Sequence, residues 1–246
     1  MRVIYRHEYA RRLRAGFIGA GGHSYRNIYP TFAYVPVDLV AVCDRVEERA
    51  RVAAAQFGAA RVYTDHRAML EREDLEVVFV VVGYDPQTGS PLYPPLAMDV
   101  MRAGCDCWIE KPPAATVAEI DAMREVERET GRFTMVGVKK CFFPAVEKVK
   151  EICGLPEFGG IQSATLRYPQ YIPTVAEMAE GPRNPRTRSF LDHLVHPTSI
   201  LHYLLGMPTA FTYTRSENGS GVALYTFASG ATAALHLSAG QSGLGA

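Results

Sequence analysis

The chain has 246 residues, of which 48% are hydrophobic and 21% are charged, as in globular proteins and unlike disordered, collagenous or coiled-coil chains. Lys plus Arg and Asp plus Glu both number 26, so the overall basic charge that usually accompanies nucleic-acid binding is missing. The longest apolar run, Val77–Val82, is far shorter than the ~20 residues that span a bilayer. We therefore expect neither a nucleic-acid partner nor a membrane partner.

Short apolar runs alternate with amphipathic stretches from residue 13 to residue 139, which predicts βαβ units in a six-stranded, doubly wound parallel sheet, a Rossmann domain. Residues 1–12 precede it as a solvated arm without the pattern of a signal peptide. The strands singled out are 13–20, 37–43, 74–83, 105–110 and 133–138, and the helices are 44–57, 93–104 and 116–131.

After about residue 140 this alternation ends, which predicts an α+β second domain over 140–246 with an open sheet. Its predicted elements are a helix over 142–153, a strand over 159–168, a Pro- and Arg-rich loop over 169–188, a helix over 191–206, and strands over 210–215, 221–228 and 230–238. Pro197 predicts that the long helix is kinked or starts near His193.

A glycine cluster stands where the first strand meets its helix. Gly19, Gly21 and Gly22, followed by His23 and Ser24, resemble the turn that holds a dinucleotide pyrophosphate, with Ser24 in place of the third glycine. Glycine clusters are also common in ordinary turns, so the neighbouring residues are needed to distinguish a dinucleotide-binding turn from an ordinary one.

The end of the second strand supplies that context. Asp44 stands where an acid accepts hydrogen bonds from the adenosine ribose, which favours NAD over NADP. Arg45 beside it can stack on adenine or pair with a 2′-phosphate, which keeps NADP open. The alternative is a glycine turn with a solvated Asp–Arg pair. We predict a site for NAD, with NADP possible.

The motif Glu-Lys-Pro at 110–112 follows the strand CDCWI. Together with GFIGAGG, VAVCDR, VGVKKCFFPAV and the spacing of Asp192, His196 and Gly206, it makes the chain resemble the Gfo/Idh/MocA oxidoreductases from Leu13 onward. The resemblance implies a Rossmann domain followed by an α/β domain with an open, mainly antiparallel sheet. It also implies Lys111, Asp192 and His196 as catalytic residues, with Glu110 and Lys111 beside the cofactor.

The chemistry of these side chains suits oxidation of an alcohol. An imidazole such as His196 can take or return a hydroxyl proton near neutral pH. Lys111 can stabilise a developing alkoxide, and Asp192 can hold a substrate hydroxyl or orient the imidazole. Taken singly, the lysine could be a surface turn residue, the histidine a core residue and the aspartate a helix cap.

Asp192, His193 and His196 can also be interpreted as metal ligands. No third distant acid or cysteine stands at a convincing spacing, so we predict no metal. The five cysteines form no CxxC pair and are odd in number, which predicts reduced thiols and a cytoplasmic location.

Several polar residues are candidates for substrate binding. Lys139 and Lys140 lie at the domain junction, Arg183 and Arg186 lie in the loop before the second-domain helix, and Ser199 stands where the family often has Asp or Asn. The arginines can clamp an anionic group or form a solvated charge cluster.

These features predict an NAD(P)-dependent oxidoreductase acting on a secondary hydroxyl or ketone of a sugar, cyclitol or related polyol. A non-catalytic NAD(P)-binding sensor of the same fold is the alternative. The chain stops within the second sheet, which predicts a fragment or a shortened form and a homo-oligomer formed through that sheet.

Overall fold

The computed structural model describes residues 3–216 and 220–238, which divide into two compact units. The first unit comprises Met1–Asp85 and Ser90–Gly137, and the second comprises Pro86–Gly89 and Val138–Ala246. Residues 239–246, where the sequence predicts that the sheet stops without a closing element, lie outside the described residues, as do residues 1 and 2 of the arm.

The first unit is built on six parallel strands in the order β3-β2-β1-β4-β5-β6. They are β1 Leu13–Ile18, β2 Val37–Cys43, β3 Arg61–Tyr63, β4 Val77–Val80, β5 Asp106–Ile109 and β6 Thr134–Val136. The longer helices between them are α1 Glu47–Phe57, α2 His66–Arg72, α3 Tyr93–Arg102 and α4 Val117–Thr130. This strand order confirms the predicted doubly wound Rossmann sheet.

The two faces of this sheet are both covered. In β4, Val78 and Val80 belong to one buried cluster, whereas Val77 and Phe79 pack against another. Because successive side chains of a strand point to opposite faces, the continuous apolar run of β4 is what a central strand with helices on both sides requires.

The second unit contains a four-stranded sheet in the order β7-β10-β9-β8. Its elements are α5 Pro144–Cys153, β7 Ser163–Pro169, α6 Val175–Ala179, α7 Pro185–Leu205, β8 Pro208–Arg215, β9 Gly221–Phe227 and β10 Thr232–Ser238. β10 pairs with β7 in parallel, while β10–β9 and β8–β9 are antiparallel, which confirms a mainly antiparallel sheet.

The segment 169–188 is not the loop that the sequence predicts. It contains α6 and the start of α7. Helix α7 begins here because the Asn184 side chain caps it by accepting from the backbone N–H groups of Arg186 and Thr187. A start near His193 is therefore wrong. Pro197 lies inside the helix, where it supplies no N–H to the carbonyl of His193.

A short excursion of the chain belongs to the second unit. Pro86–Gly89 leaves the first unit's sequence and joins the second. Gly89 has φ +73° there, and a Cβ at this position would overlap the carbonyl group of Pro182. Glycine is therefore required for this close backbone approach.

Candidate functional site

The glycine turn lies where β1 ends, between β2 and β4. Gly19 has φ +103°, its N–H donates to the Cys43 carbonyl at 2.7 Å, and a Cβ would overlap the carbonyl oxygen of Val81. A Cβ on Gly21, by contrast, would have no atom within 4 Å. Gly19 is thus fixed by packing, while Gly21 leaves open space beside the backbone, as a pyrophosphate needs.

The segment after the turn is helical, as the sequence predicts, but it is not an α-helix. Ser24–Ile28 forms a π-helix, and Tyr29–Ala33 continues as a 3₁₀-helix. Ser24 is buried, and its hydroxyl donates to the Val81 carbonyl at 3.3 Å, so the residue in the third glycine position anchors the turn to β4. π-Helical turns are frequent at functional sites.

Asp44 is held at the carboxyl end of β2. Its Oδ2 accepts from the N–H of Ala20 at 2.7 Å, and its Oδ1 accepts from the N–H of Val46 at 2.8 Å. Each oxygen retains a lone pair for a ribose hydroxyl. Arg45 is exposed beside it. These residues fit a dinucleotide, since an oriented carboxylate and an open glycine turn lie at the same end of the sheet.

Glu110 connects this turn to the end of β5. Its Oε1 lies 3.2 Å from Nε2 of His23, and its Oε2 accepts from the backbone N–H of Lys111 at 3.0 Å. Nδ1 of His23 in turn lies 3.0 Å from the Asn27 amide nitrogen. The first unit therefore brings together the predicted residues of the glycine turn, Asp44, Glu110 and Lys111.

In the second unit, α7 carries the other predicted catalytic residues. Asp192 and His196 are four residues apart and so share one face of the helix, where His196 is buried. The ring of His193 is 6.3 Å from that of His196, and its Nδ1 donates to the Ser189 carbonyl at 2.7 Å. The Ser199 hydroxyl donates to the His196 carbonyl at 2.9 Å, so its hydrogen-bond donor is occupied by the backbone of α7.

Within the described ranges, no group of three or more His, Cys, Asp or Glu side chains is arranged to hold a metal ion. The five cysteines are free thiols, and burial raises the pKa of the Cys43 thiol to about 12.

Of the predicted substrate-binding lysines, Lys140 has a defined environment. Its Nζ donates to the Tyr168 hydroxyl at 2.9 Å and lies 4.4 Å from the centre of that ring. Lys139 is exposed. Tyr168 thus fixes one ammonium group at the end of β7.

Gln170, just beyond β7, has a feature that no sequence pattern reveals. The residue is 7% exposed, and both its amide nitrogen and its amide oxygen are buried without a hydrogen-bond partner in the described part of the chain. An unsatisfied buried polar group costs about 1–3 kcal/mol, so pairing of these two amide atoms would stabilise the protein.

Arg183 is exposed, whereas Arg186 forms hydrogen bonds within the second unit. The Nη1 atom of Arg186 donates to Glu177 at 2.8 Å and to the Tyr171 hydroxyl at 3.2 Å. The backbone N–H of Thr174, followed by the Tyr171 hydroxyl and the Arg186 guanidinium, lowers the pKa of Glu177 to about 2 against an opposing effect of desolvation.

We expect Glu177→Gln to destabilise the fold in a pH-dependent way. The folded-state pKa lies below the ordinary 4.5, so the stabilisation is fully present above pH 4.5 and is lost as the pH falls towards 2. Urea unfolding should show the variant less stable than the wild type at pH 7, with the difference shrinking over that window.

Glu157→Gln, at an exposed carboxylate of the same unit, is the control and should show no such trend. Arg186→Ala should lower the free energy of unfolding at pH 7, as Glu177→Gln does. A substrate KM that rises in Arg186→Ala with unchanged stability would contradict this structural role and favour substrate binding.

A family model described as an oxidoreductase family with an NAD-binding Rossmann fold, Gfo/Idh/MocA, matches residues 13–138, just over half of the chain. No helix in the described ranges combines the length and apolar character needed to cross a bilayer.

Individual proteins are also similar to this chain in sequence. A dTDP-3,4-didehydro-2,6-dideoxy-alpha-D-glucose 3-reductase of Streptomyces violaceoruber is 28% identical over 202 residues, which are 81% of this chain and 56% of that protein. An inositol 2-dehydrogenase of Salmonella typhimurium is 25% identical over 198 residues, which are 78% of this chain and 54% of that protein. The chain thus spans about half the length of these curated relatives.

A solved structure of a dehydrogenase from Chromobacterium violaceum has the same fold. It superposes with a TM-score of 0.78 at 23% identity, over 92% of this chain and 66% of that one.

Proposed function

Because the chain belongs to the Gfo/Idh/MocA family of oxidoreductases, we propose that it is an NAD(P)-dependent oxidoreductase that transfers a hydride between the nicotinamide and a secondary hydroxyl or ketone of a sugar, cyclitol or related polyol. The observation that carries this proposal is the contact between Glu110 and His23, which ties the strand end bearing Lys111 to the glycine turn. The names of the relatives, a deoxysugar reductase and an inositol dehydrogenase, support the substrate class.

The cofactor would be held by the glycine turn and Asp44. Gly21 leaves the backbone open to the pyrophosphate, Gly22 follows it beside the Arg26 guanidinium, and Asp44 accepts from the ribose hydroxyls. His23, Ser24 and Arg45 would border the same site, with Glu110 and Lys111 towards the reacting end. The nicotinamide supplies the hydride acceptor or donor when it is bound.

The proton chemistry would fall to three side chains. The ammonium group of Lys111 stabilises the alkoxide that develops as the substrate O–H bond breaks. The imidazole of His196 takes that proton in oxidation and returns it in reduction. Asp192, on the same face of α7, hydrogen-bonds a substrate hydroxyl or orients the imidazole. Lys139, Lys140, Arg183, Arg186 and Ser199 remain candidates for contacts with the rest of the substrate.

We expect Gln170→Leu to separate substrate binding from stability. Its free energy of unfolding should stay constant or rise by about 1 kcal/mol, because an unsatisfied buried amide is removed. The KM for the polyol should rise about tenfold if that amide pairs with a substrate hydroxyl. Steady-state kinetics and urea unfolding measure the two effects.

Thr165→Val, at an exposed position of β7 five residues before Gln170, is the control and should change neither quantity. A destabilised Gln170→Leu variant with an unchanged KM would show that the amide has a structural role.

Incubation with NAD or NADP and a panel of sugars, cyclitols and polyols, followed by the absorbance of the reduced nicotinamide, tests the proposed activity directly. Turnover of at least one polyol is the expected result. Tight binding of NADH by calorimetry without turnover of any compound would contradict it and would favour the sensor.

We also propose that the chain works in the cytoplasm and self-associates through the second unit's sheet. Val222 and Leu224 of β9 are exposed, and such apolar residues on a sheet favour association with another chain.

A further inference from the structure

Three side chains form a continuous path between the glycine turn and the end of β5. The Asn27 amide nitrogen lies 3.0 Å from Nδ1 of His23, and Nε2 of His23 lies 3.2 Å from Oε1 of Glu110. The other carboxylate oxygen of Glu110 accepts from the backbone N–H of Lys111 at 3.0 Å.

The chemistry of the end groups fixes the protons on this path. An amide nitrogen only donates, so Nδ1 of His23 accepts from Asn27. A carboxylate only accepts, so Nε2 of His23 carries a proton and donates it to Glu110. In this arrangement Nε2 of His23 is the donor and Nδ1 is the acceptor.

Glu110 has little freedom to move. Its side chain is 10% exposed, compared with 49% for His23. A Cβ on Gly137, beyond the end of β6, would lie 3.5 Å from the Glu110 carboxyl carbon. The carboxylate thus lies close to the Gly137 backbone, and each of its oxygens has one donor.

We infer that His23 is a positioning residue that fixes the backbone at Lys111 through Glu110, and so couples the orientation of the lysine to the conformation of the glycine turn. This assigns to His23 a role beyond lining the dinucleotide site. The inference rests on the proposed function, because Lys111 acts as a catalytic residue only within it.

The hydrogen-bonded path can be tested without any turnover. Long-range ¹⁵N–¹H NMR of the wild-type protein should show one histidine as the neutral Nε2–H tautomer, whose signals disappear in His23→Gln. Asn27→Asp places a carboxylate opposite Nδ1 and should convert that ring to the doubly protonated form. An Nδ1–H tautomer, or a ring unaffected by Asn27→Asp, would overturn the inference.

The coupling itself is tested by separating kcat from binding. His23→Leu should lower kcat about tenfold, the loss expected for one hydrogen bond to a charged group. His23→Gln should restore most of kcat, because its amide N–H can donate to Glu110. The polyol KM should stay within about twofold in both variants, since neither removes a substrate contact.

Cofactor affinity is measured in parallel by energy transfer to NADH from Trp108, the single tryptophan, which lies two residues before Glu110. Weakened NADH affinity with unchanged kcat in His23→Leu would overturn the inference and leave His23 as a cofactor contact. Absence of wild-type turnover would defeat the proposed function instead, and the tautomer measurement would still decide whether the path exists.

Discussion

Gly19→Ala is expected to lose about 3 kcal/mol or more of its free energy of unfolding, because two penalties combine at this position. The residue has φ +103°, a conformation that costs alanine about 1–3 kcal/mol. The added methyl group would also overlap the backbone carbonyl of Val81, which cannot move without disturbing the end of β4. Urea unfolding should therefore show a much lower midpoint, or little folded protein.

Gly21→Ala provides the matched comparison two residues away. A methyl group there meets no atom within 4 Å, so its stability should stay within about 0.5 kcal/mol of the wild type. NADH binding by calorimetry should weaken instead, because the methyl group occupies the space left for the pyrophosphate. Equal destabilisation of both variants would contradict the distinct roles assigned to the two glycines.

Lys111→Ala is expected to lower kcat about 10²–10³-fold, the size of effect seen when one group that stabilises a developing oxyanion is removed. We expect the variant to fold, because alanine keeps the backbone N–H that residue 111 donates to Glu110. Nicotinamide absorbance under saturating cofactor and polyol measures the effect, with NADH binding as a check that the nucleotide site survives.

Lys148→Ala is the control for removal of a lysine, since Lys148 forms an exposed ion pair with Glu151 on α5. It should retain wild-type kcat. Turnover by Lys111→Ala equal to that of the control would show that the chemistry has been assigned to the wrong residue.

Most of the fold follows from local patterns, and the exceptions have physical causes. The central strands are apolar runs, and the sequence identifies them because both faces of the sheet are covered. The sequence pattern does not reveal β3, because Arg61–Tyr63 has only three residues and is not buried. The sequence predicts a loop at the start of α7, because several arginines and prolines surround it, although Asn184 and Pro185 are a typical cap and first residue of a helix.

The candidate site was predictable where a motif is local and hidden where contacts are distant in sequence. The glycine turn, Asp44 and the Glu-Lys-Pro motif can each be recognised from a few consecutive residues. The contact of His23 with Glu110 joins positions 87 residues apart, and the unpaired amide of Gln170 depends on everything packed around it. Neither can be derived from spacing alone.

The excursion at Pro86–Gly89 has a consequence for dissecting the molecule. Because those four residues belong to the second unit, the polypeptide passes from one unit to the other three times, after residues 85, 89 and 137. A recombinant piece starting at residue 138 would lack the Gly89 backbone that packs against Pro182. Independent expression of that half would therefore call for a circular permutant or a grafted peptide, and a single cut cannot produce it.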